Sequence, residues 1–580
     1  MSKYSLKHIL IFSGPIVQIL LWTTLNSAIY YAAIDIGSEV VKDTILSGKF
    51  VNLLKSLEGT LLQYGVLSLV FVIFLLGGFF ADVYLGRYRA VALGQIFTSL
   101  CMVTTTVSSV ALHVGDNKIV TSACIYVALA FSLLFYIIGM SLVGSNILQF
   151  GSDQLMEKPN ESLGVFVHWL LWAQDFGYLI GKMFLVGKNC LPRDNQVFNH
   201  VLWSIPIYFL VVLIVLLIVS YCTRHRFNRD RVKYNPYKLI YKVLNFARKN
   251  KYPVGPVSAF TRCYNFRPSR LDYAKERYGG PFTTSDVEDV KSFKNVFLIL
   301  LALGPVYIAD PPMQSFIFHM FSNHTGAMIS FGTSNETCEN IETIFSRIGV
   351  LIGFPIYMWV IYSVFRNRTP RILYRLISAI SIYLLAVTSI LVADFTGHLI
   401  LYTRSHNHTE YQAGCMFVEH ELQETLHLHW AVIAIPSFIG GISHDVVIAS
   451  ALEFISAQSP HAMKGVLVGI FFATIGIFRV IGAIFFIPFS LKVIWKYGYL
   501  GKHPPVISCG FGYYLVCITV ALIGLGSLIV AVKRYKYRRR DEEPYSQACV
   551  EEIFARRLAN RAVSYDRQGY QELSGSNINS

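Results

Sequence analysis

Five ionisable side chains stand inside long apolar stretches of this sequence: Asp175, Lys182, Asp310, Asp445 and Glu453. A charge at the middle of a membrane helix costs about 2.5–3.5 kcal/mol on insertion scales, so such groups normally meet a wet cavity or a partner. A carboxylate there can take up and release a proton, which an amide cannot. Asp175 and Lys182 are seven residues apart, two turns along one helical face. A local structural pair, or Lys182 reaching for the interface, is the competing account of these two. Asp310 precedes Pro311-Pro312, which removes backbone donors; a helix break is expected there, with Gln314 close behind. A simple kink is the alternative at that point.

The elements that must position these groups are apolar runs of spanning length. The chain has 580 residues, of which 54% are hydrophobic and only 15% charged. A soluble chain of that composition would expose large apolar patches. Apolar runs are centred near 9–33, 60–82, 89–112, 120–148, 163–187 and 201–222, and again near 294–321, 343–365, 372–394, 429–455, 464–490 and 510–533. At about 20 residues per crossing, these predict twelve spans in an all-α polytopic membrane protein. The expected organisation is a six-helix bundle over 1–222, a basic linker over 223–293, a second six-helix bundle over 294–533 and a tail over 534–580.

The formal charge of +15 could suggest nucleic acid, but the basic residues cluster between apolar runs, as anchors beside a bilayer do. The linker, the turn with Arg366, Arg368 and Arg371, and the tail with Lys533, Arg534 and Lys536 all fall on one side. That side is expected to be cytoplasmic, with both termini. The sequons at Asn323, Asn335 and Asn407 fall on the opposite, lumenal side, where they are expected to be glycosylated. Cys190, Cys338, Cys415 and Cys509 also map there; they permit three disulfide pairings, or remain free thiols. A histidine-rich lumenal loop, His406 to His429, invites a metal reading. Glu424 occupies the place of the second histidine that H-E-x-x-H needs, so no metal site is expected. Tyr570 and Leu573 frame a tyrosine-based sorting signal, giving adaptors as possible partners of the tail and either an endolysosomal or a surface membrane as the residence.

Four blocks carry a family likeness. After span 2 the sequence reads Gly77-Gly78-Phe79-Phe80-Ala81-Asp82-Val83-Tyr84-Leu85-Gly86-Arg87; after span 4, Phe150-Gly151-Ser152-Asp153-Gln154-Leu155. Before span 7 come Leu271-Asp272-Tyr273-Ala274 and Val287-Glu288-Asp289-Val290-Lys291. Span 10 ends in Leu452-Glu453-Phe454-Ile455-Ser456-Ala457-Gln458-Ser459-Pro460. In this order the chain resembles a divergent member of the proton-dependent oligopeptide transporters (the solute carrier 15-like family) of the major facilitator superfamily, over residues 8 to 533. The resemblance implies two six-helix bundles rocking about a central site, and uptake of di- and tripeptides or peptide-like solutes with the proton as coupling ion and no other cofactor. It also implies that Asp82, Gly86, Arg87, Asp153 and Gln154 form the conformational motif, and that Glu453 faces the cavity, helps gating and binds the substrate amine. The competing account of Glu453 is an anchor for Lys464. Tyr30 and Tyr31 match the family's pocket tyrosines.

The sequence also departs from that family. Its charged span 1 cluster, E-x-x-E-R, falls on Thr23, Asn26 and Ser27 here. A lysine of span 4 is replaced by Gly144, and the animal members' span 2 histidine by Tyr64. Asp175 stands where the family has Asn, so Asp175 or Lys182 is expected to take over part of the lost charge work. Proton coupling is therefore an expectation from kinship that these positions weaken. An uncoupled facilitator, a carrier of an amino acid or organic anion, and a transport-inactive scaffold remain as alternatives. No Ser-His-Asp, phosphate-loop or metal-ligand arrangement points to an enzyme.

Overall fold

The computed structural model describes residues 15–28, 57–114, 118–155, 160–189, parts of 207–227, 235–249, 269–276, 279–310, 348–361, 371–404, 431–485 and 509–537. The main helices among them are α1 (15–28), α2 (Leu57–Phe80), α3 (Arg87–Val114), α4 (Lys118–Asp153) and α5 (Asn160–Asn189), then α6 (Pro236–Lys249) and α7 (Thr284–Leu303). They continue with α8 (Phe354–Trp359), α9 (Ile372–Arg404), α10 (Ala431–Gln458), α11 (Lys464–Ile484) and α12 (Cys509–Arg534). The chain divides into two units, Met1–Arg534 and Tyr535–Ser580. All of these helices belong to the first; in the second, the rings of Tyr535 and Tyr537 meet edge to face.

Seven described helical stretches are long and apolar enough to cross a membrane, with Val70–Leu85, Leu210–Val219 and Gly349–Trp359 as shorter apolar pieces. Seven is the number these residues support, against the twelve expected. Part of the difference is chemical: α5 carries His168, Gln174 and Asp175 in its described portion, which dilute its apolar character. Large apolar side chains point outward along the bundle, among them Leu385, Val392 and Ile523. Such a surface suits lipid and would be a liability in water.

Small residues set the spacing. A Cβ at Gly78 on α2 would collide with the backbone carbonyl of Gly465 on α11, and one at Gly469 would lie 2.7 Å from the Phe74 carbonyl. The backbones of α2 and α11 therefore touch, which only small side chains permit. Gly177 does the same for α5, where a Cβ would strike the Thr24 carbonyl of α1.

The expected linker is structured in part. Helix α6 buries Val243 and Ala247, and Leu239, Ile240 and Phe246 extend that apolar face against Ala274, Phe282, Val287 and Val290. Ser269 caps the short 3-10 turn Arg270–Ala274 reciprocally with Asp272, a capping box. A departure from the α-helix already precedes the break expected at Asp310-Pro311-Pro312. Helix α7 gives way to a 3-10 turn at Gly304–Ala309, with Pro305 inside it and Asp310 as its C-cap. Pro305 cannot donate to the preceding turn, and that suffices to end the α-helical ladder. Pro311, Pro312 and Gln314 lie outside the described residues.

Candidate functional site

Asp310 closes the 3-10 turn at the end of α7 and is 1% exposed. Its carboxylate accepts from Arg479 of α11, Nε at 2.8 Å and Nη2 at 2.7 Å, and from the Tyr383 hydroxyl of α9. His444 of α10 adds Nε2 at 3.8 Å, while its Nδ1 lies 3.5 Å from Asp445 Oδ1. The Arg479 guanidinium also stands over the Phe71 ring of α2, 5.5 Å from its centroid, a cation–π distance. One imidazole thus stands between two carboxylates, and the guanidinium holds Asp310.

Glu453 of α10 forms a second centre. Its Oε1 accepts from Arg375 Nη2 of α9 at 2.7 Å, and both side chains are buried. The partner is Arg375, not Lys464, which instead is among the charges around Asp153. Of the two settings the sequence left open, a wet cavity or a partner, the structure shows a partner for both: Asp310 and Glu453 are engaged by cations of neighbouring helices. Asp175 is half-buried on α5. Lys182 lies on the same helix, but its side chain is outside the described residues, so their pairing is too.

On the linker side of the bundle the glycine-rich motif joins the two halves. Asp82 Oδ2 accepts from the Val466 amide at 2.9 Å, at the start of α11, where orphan helix amides favour an anion. The same oxygen accepts from the Tyr237 hydroxyl of α6 at 3.3 Å. Burial and the Asp82 charge push that phenol well above its usual range, so it stays a donor. Gly86 takes φ 78° to turn the chain into α3, a backbone state that suits glycine. Arg87 then reaches Asp153 of α4 and the His461 carbonyl that follows α10. Gln149 and Ser292 add bonds to Ser456 (3.2 Å) and the Gln458 carbonyl (2.8 Å). Gln154 bonds back to the Phe150 carbonyl at 3.3 Å.

Nearby, Asp272, Lys275, Glu288 and Lys291 form a four-membered ionic cluster, with Lys291 Nζ 2.6 Å from Asp272. Burial works against ionising Asp272, yet the bonds and charges of Lys275 and Lys291 outweigh it and hold its carboxyl well below the usual range.

The positions that lost the family's charges are filled in ordinary ways. Thr23 bonds back to the Ile19 carbonyl at 2.9 Å, and Asn26 is buried beside it on α1, with Ser27 half-buried. Gly144 is occupied from outside: a Cβ there would lie 2.6 Å from Phe74, so a longer side chain would have to displace that ring. Tyr64 lies on α2 with its side chain outside the described residues. Tyr30, Tyr31, Asn323, Asn335, Asn407, Tyr570 and Leu573 lie outside them altogether, as do Cys190, Cys338 and Cys415 and the histidine-rich loop. Sequence reasoning missed Arg479, although it sits inside the eleventh run, and Arg375, His168 and His444. An inventory of every ionisable group in every apolar run would have found Arg479.

A sequence model described as the POT family matches residues 88–491. Among similar proteins, protein NRT1/PTR FAMILY 6.4 of Arabidopsis thaliana is 29% identical over 249 residues, 39% of this chain and 41% of that one. The chain thus spans less than half the length of that relative. Protein NRT1/PTR FAMILY 5.10 of the same plant is 22% identical over 80% of this chain and 84% of its own. Solute carrier family 15 member 3 of Rattus norvegicus is 22% identical over 73% and 75%. The crystal structure of an auto-inhibited POT family peptide transporter aligns at TM-score 0.57 and 15% identity, over 91% of this chain and 98% of that one. The POT family transporter PepTSo aligns at 0.56 and 13%, over 89% and 99%. The shared fold is the major facilitator fold.

Proposed function

The chain belongs to the POT family of membrane transporters, and on that premise we propose that it carries di- and tripeptides or peptide-like small solutes by alternating access, coupled to protons. The observation that carries the reading is the cluster of Asp310, His444, Asp445 and Arg479, in which a titratable imidazole stands between two carboxylates. It joins α7, α10 and α11 and touches α2 through Phe71. A group so placed exchanges its proton at the cost of rearranging the helices that hold it, which is what coupling requires. Glu453, released from Arg375, is the site for a substrate amine, and Asp175 with Lys182 offers charge on the opposite half. Asp82, Arg87 and Asp153 hold the linker side shut while the other side is accessible. Tyr30, Tyr31 and Gln314 are assigned to the substrate path by kinship and position.

A second reading, an uncoupled facilitator or a carrier of an amino acid or organic anion, is favoured by Thr23, Asn26 and Ser27, which leave α1 without the charges that serve coupling in the family. Dipeptide uptake into proteoliposomes, with and without an inward acid gradient, separates the two. Gradient-stimulated uptake supports symport, gradient-indifferent uptake the facilitator. No flux of any small solute through folded protein would leave the tail-bearing scaffold. Lys182→Gln is expected to abolish uptake; undiminished uptake removes Lys182 from the mechanism.

A further inference from the structure

Helix α6, Pro236–Lys249, presents two unlike faces. The inner one is apolar and covered: Val243 packs with Ala274, Val287 and Val290, and the Phe246 ring meets Phe282 with centroids 6.1 Å apart. At its first turn Tyr237 donates to Asp82, and its ring centroid lies 5.2 Å from that of Phe79. Asp82 follows directly on α2, whereas Val287 and Val290 belong to the first two turns of α7. Tyr237 and Phe246 are nine residues apart, about 14 Å of helix. Held at both points, α6 lies across the linker-side ends of α2 and α7 instead of standing away from them. Phe79 also meets Phe80 and Tyr84, both exposed. Aromatic rings at the end of an apolar helix mark the level of the lipid headgroups.

The outer face carries Lys238, Tyr241, Lys242, Leu244, Arg248 and Lys249, all exposed. At 3.6 residues per turn they share one side of the helix, about 160° wide. Four are cations, and no Asp or Glu occurs between Arg231 and Leu271 to answer them. Among the described residues none of the four pairs with a carboxylate. The acids nearest the inner face, Asp272 and Glu288, are already engaged by Lys275 and Lys291. Basic residues with an aromatic and an aliphatic side chain between them, and no acid, suit a helix lying in a headgroup layer. The cations meet phosphates there, while Tyr241 and Leu244 reach the acyl boundary. A dissolved polyanion would answer the charges but leave both apolar side chains in water.

We propose that the outer face of α6 binds the anionic phospholipid headgroups of the leaflet on the linker side. Each Lys or Arg beside an anionic leaflet strengthens the attachment about fivefold, so the four together outweigh the loss of any one. The attraction is between exposed charges and is therefore sensitive to salt: the Debye length falls from about 10 Å at 0.1 M to about 3 Å at 1 M. The proposal stands apart from the carrier reading. A headgroup surface asks nothing of the transport path, and a chain that moves no solute would still carry it.

The test uses the full chain in nanodiscs of phosphatidylcholine alone and of phosphatidylcholine with about a third phosphatidylserine. Hydrogen exchange over Pro236–Lys249 should be about tenfold or more slower in the phosphatidylserine discs at low salt. The difference should vanish near 1 M salt, at a Debye length of about 3 Å. Lys238→Gln, Lys242→Gln, Arg248→Gln and Lys249→Gln made together should remove it, whereas Lys238→Arg, Lys242→Arg and Lys249→Arg together should keep it. Exchange in phosphatidylcholine discs checks that α6 still forms in the fourfold variant. Should it not form there, Lys238→Gln with Lys242→Gln, and Arg248→Gln with Lys249→Gln, must each shrink the lipid difference. Exchange that ignores lipid composition, or slowing that persists in the glutamine variants, overturns the proposal. Equal protection by glycerophosphoserine dissolved around phosphatidylcholine discs would make this a site for a soluble anion and overturns it too. A chain that shows the lipid effect but moves no peptide refutes the carrier reading alone.

Discussion

Replacing Arg479 with methionine tests whether Asp310 needs that cation or only a dry place. Both carboxylate contacts from the guanidinium, at 2.7 and 2.8 Å, vanish together. Removing one member of a buried pair costs about 3–5 kcal/mol, because the survivor is left charged and unpaired. Here the Tyr383 hydroxyl and His444 still face Asp310, which places the expected loss near the lower end, about 3 kcal/mol. The lost guanidinium over Phe71 adds about 0.5–1 kcal/mol. If the cost comes from the stranded charge, a second change, Asp310→Asn, should restore most of it, giving strong coupling in the double-mutant cycle. Unfolding in mixed micelles titrated with SDS, followed by tryptophan fluorescence, reads all four chains. Additive losses, with the double variant the least stable of the set, would refute the idea that the pair is one electrostatic unit. Arg479 would then act by packing alone.

Gly177→Ala should separate α1 from α5, since its Cβ strikes the Thr24 carbonyl; a loss of about 1–3 kcal/mol should appear in the same titration. Gly86→Ala forces a side chain onto φ 78°, and a loss of about 1–2 kcal/mol is expected, whereas an unchanged midpoint would mean the turn relaxes. Asp272 is held below the usual carboxylate range, so its contribution is fully present above about pH 4 and fades as the pH falls toward its folded value. Protection against hydrogen exchange over 269–290, corrected for the intrinsic pH dependence of amide exchange, should therefore fall below about pH 4 in the wild type. Asp272→Asn should exchange faster at neutral pH and respond less to acid. Tyr237→Phe removes the α6 donor to Asp82 while keeping the ring against Phe79, 5.2 Å between centroids. Labelling of a probe on the linker side should become faster in that variant, and equal rates would remove α6 from the gate.

What the sequence determined alone was the class of molecule. Apolar runs of spanning length, few charges and the ordered blocks around Asp82, Asp153, Asp272 and Glu453 suffice, because hydropathy and local motif need no knowledge of neighbours. It also marked Asp310 and Glu453 as groups an apolar helix does not carry without cause. The tertiary structure decided which cations answer them. Asp310 meets Arg479 across 169 residues of chain, and Glu453 meets Arg375 across 78. Helical periodicity reports a residue's face but not which helix lies opposite, so such pairings are invisible along the chain. The same holds for Gly144, which reads as a lost lysine until Phe74 is seen filling its place. It holds too for His168, an unremarkable ring in a run of apolar residues until Phe354 and Tyr357 of α8 are seen stacked on it.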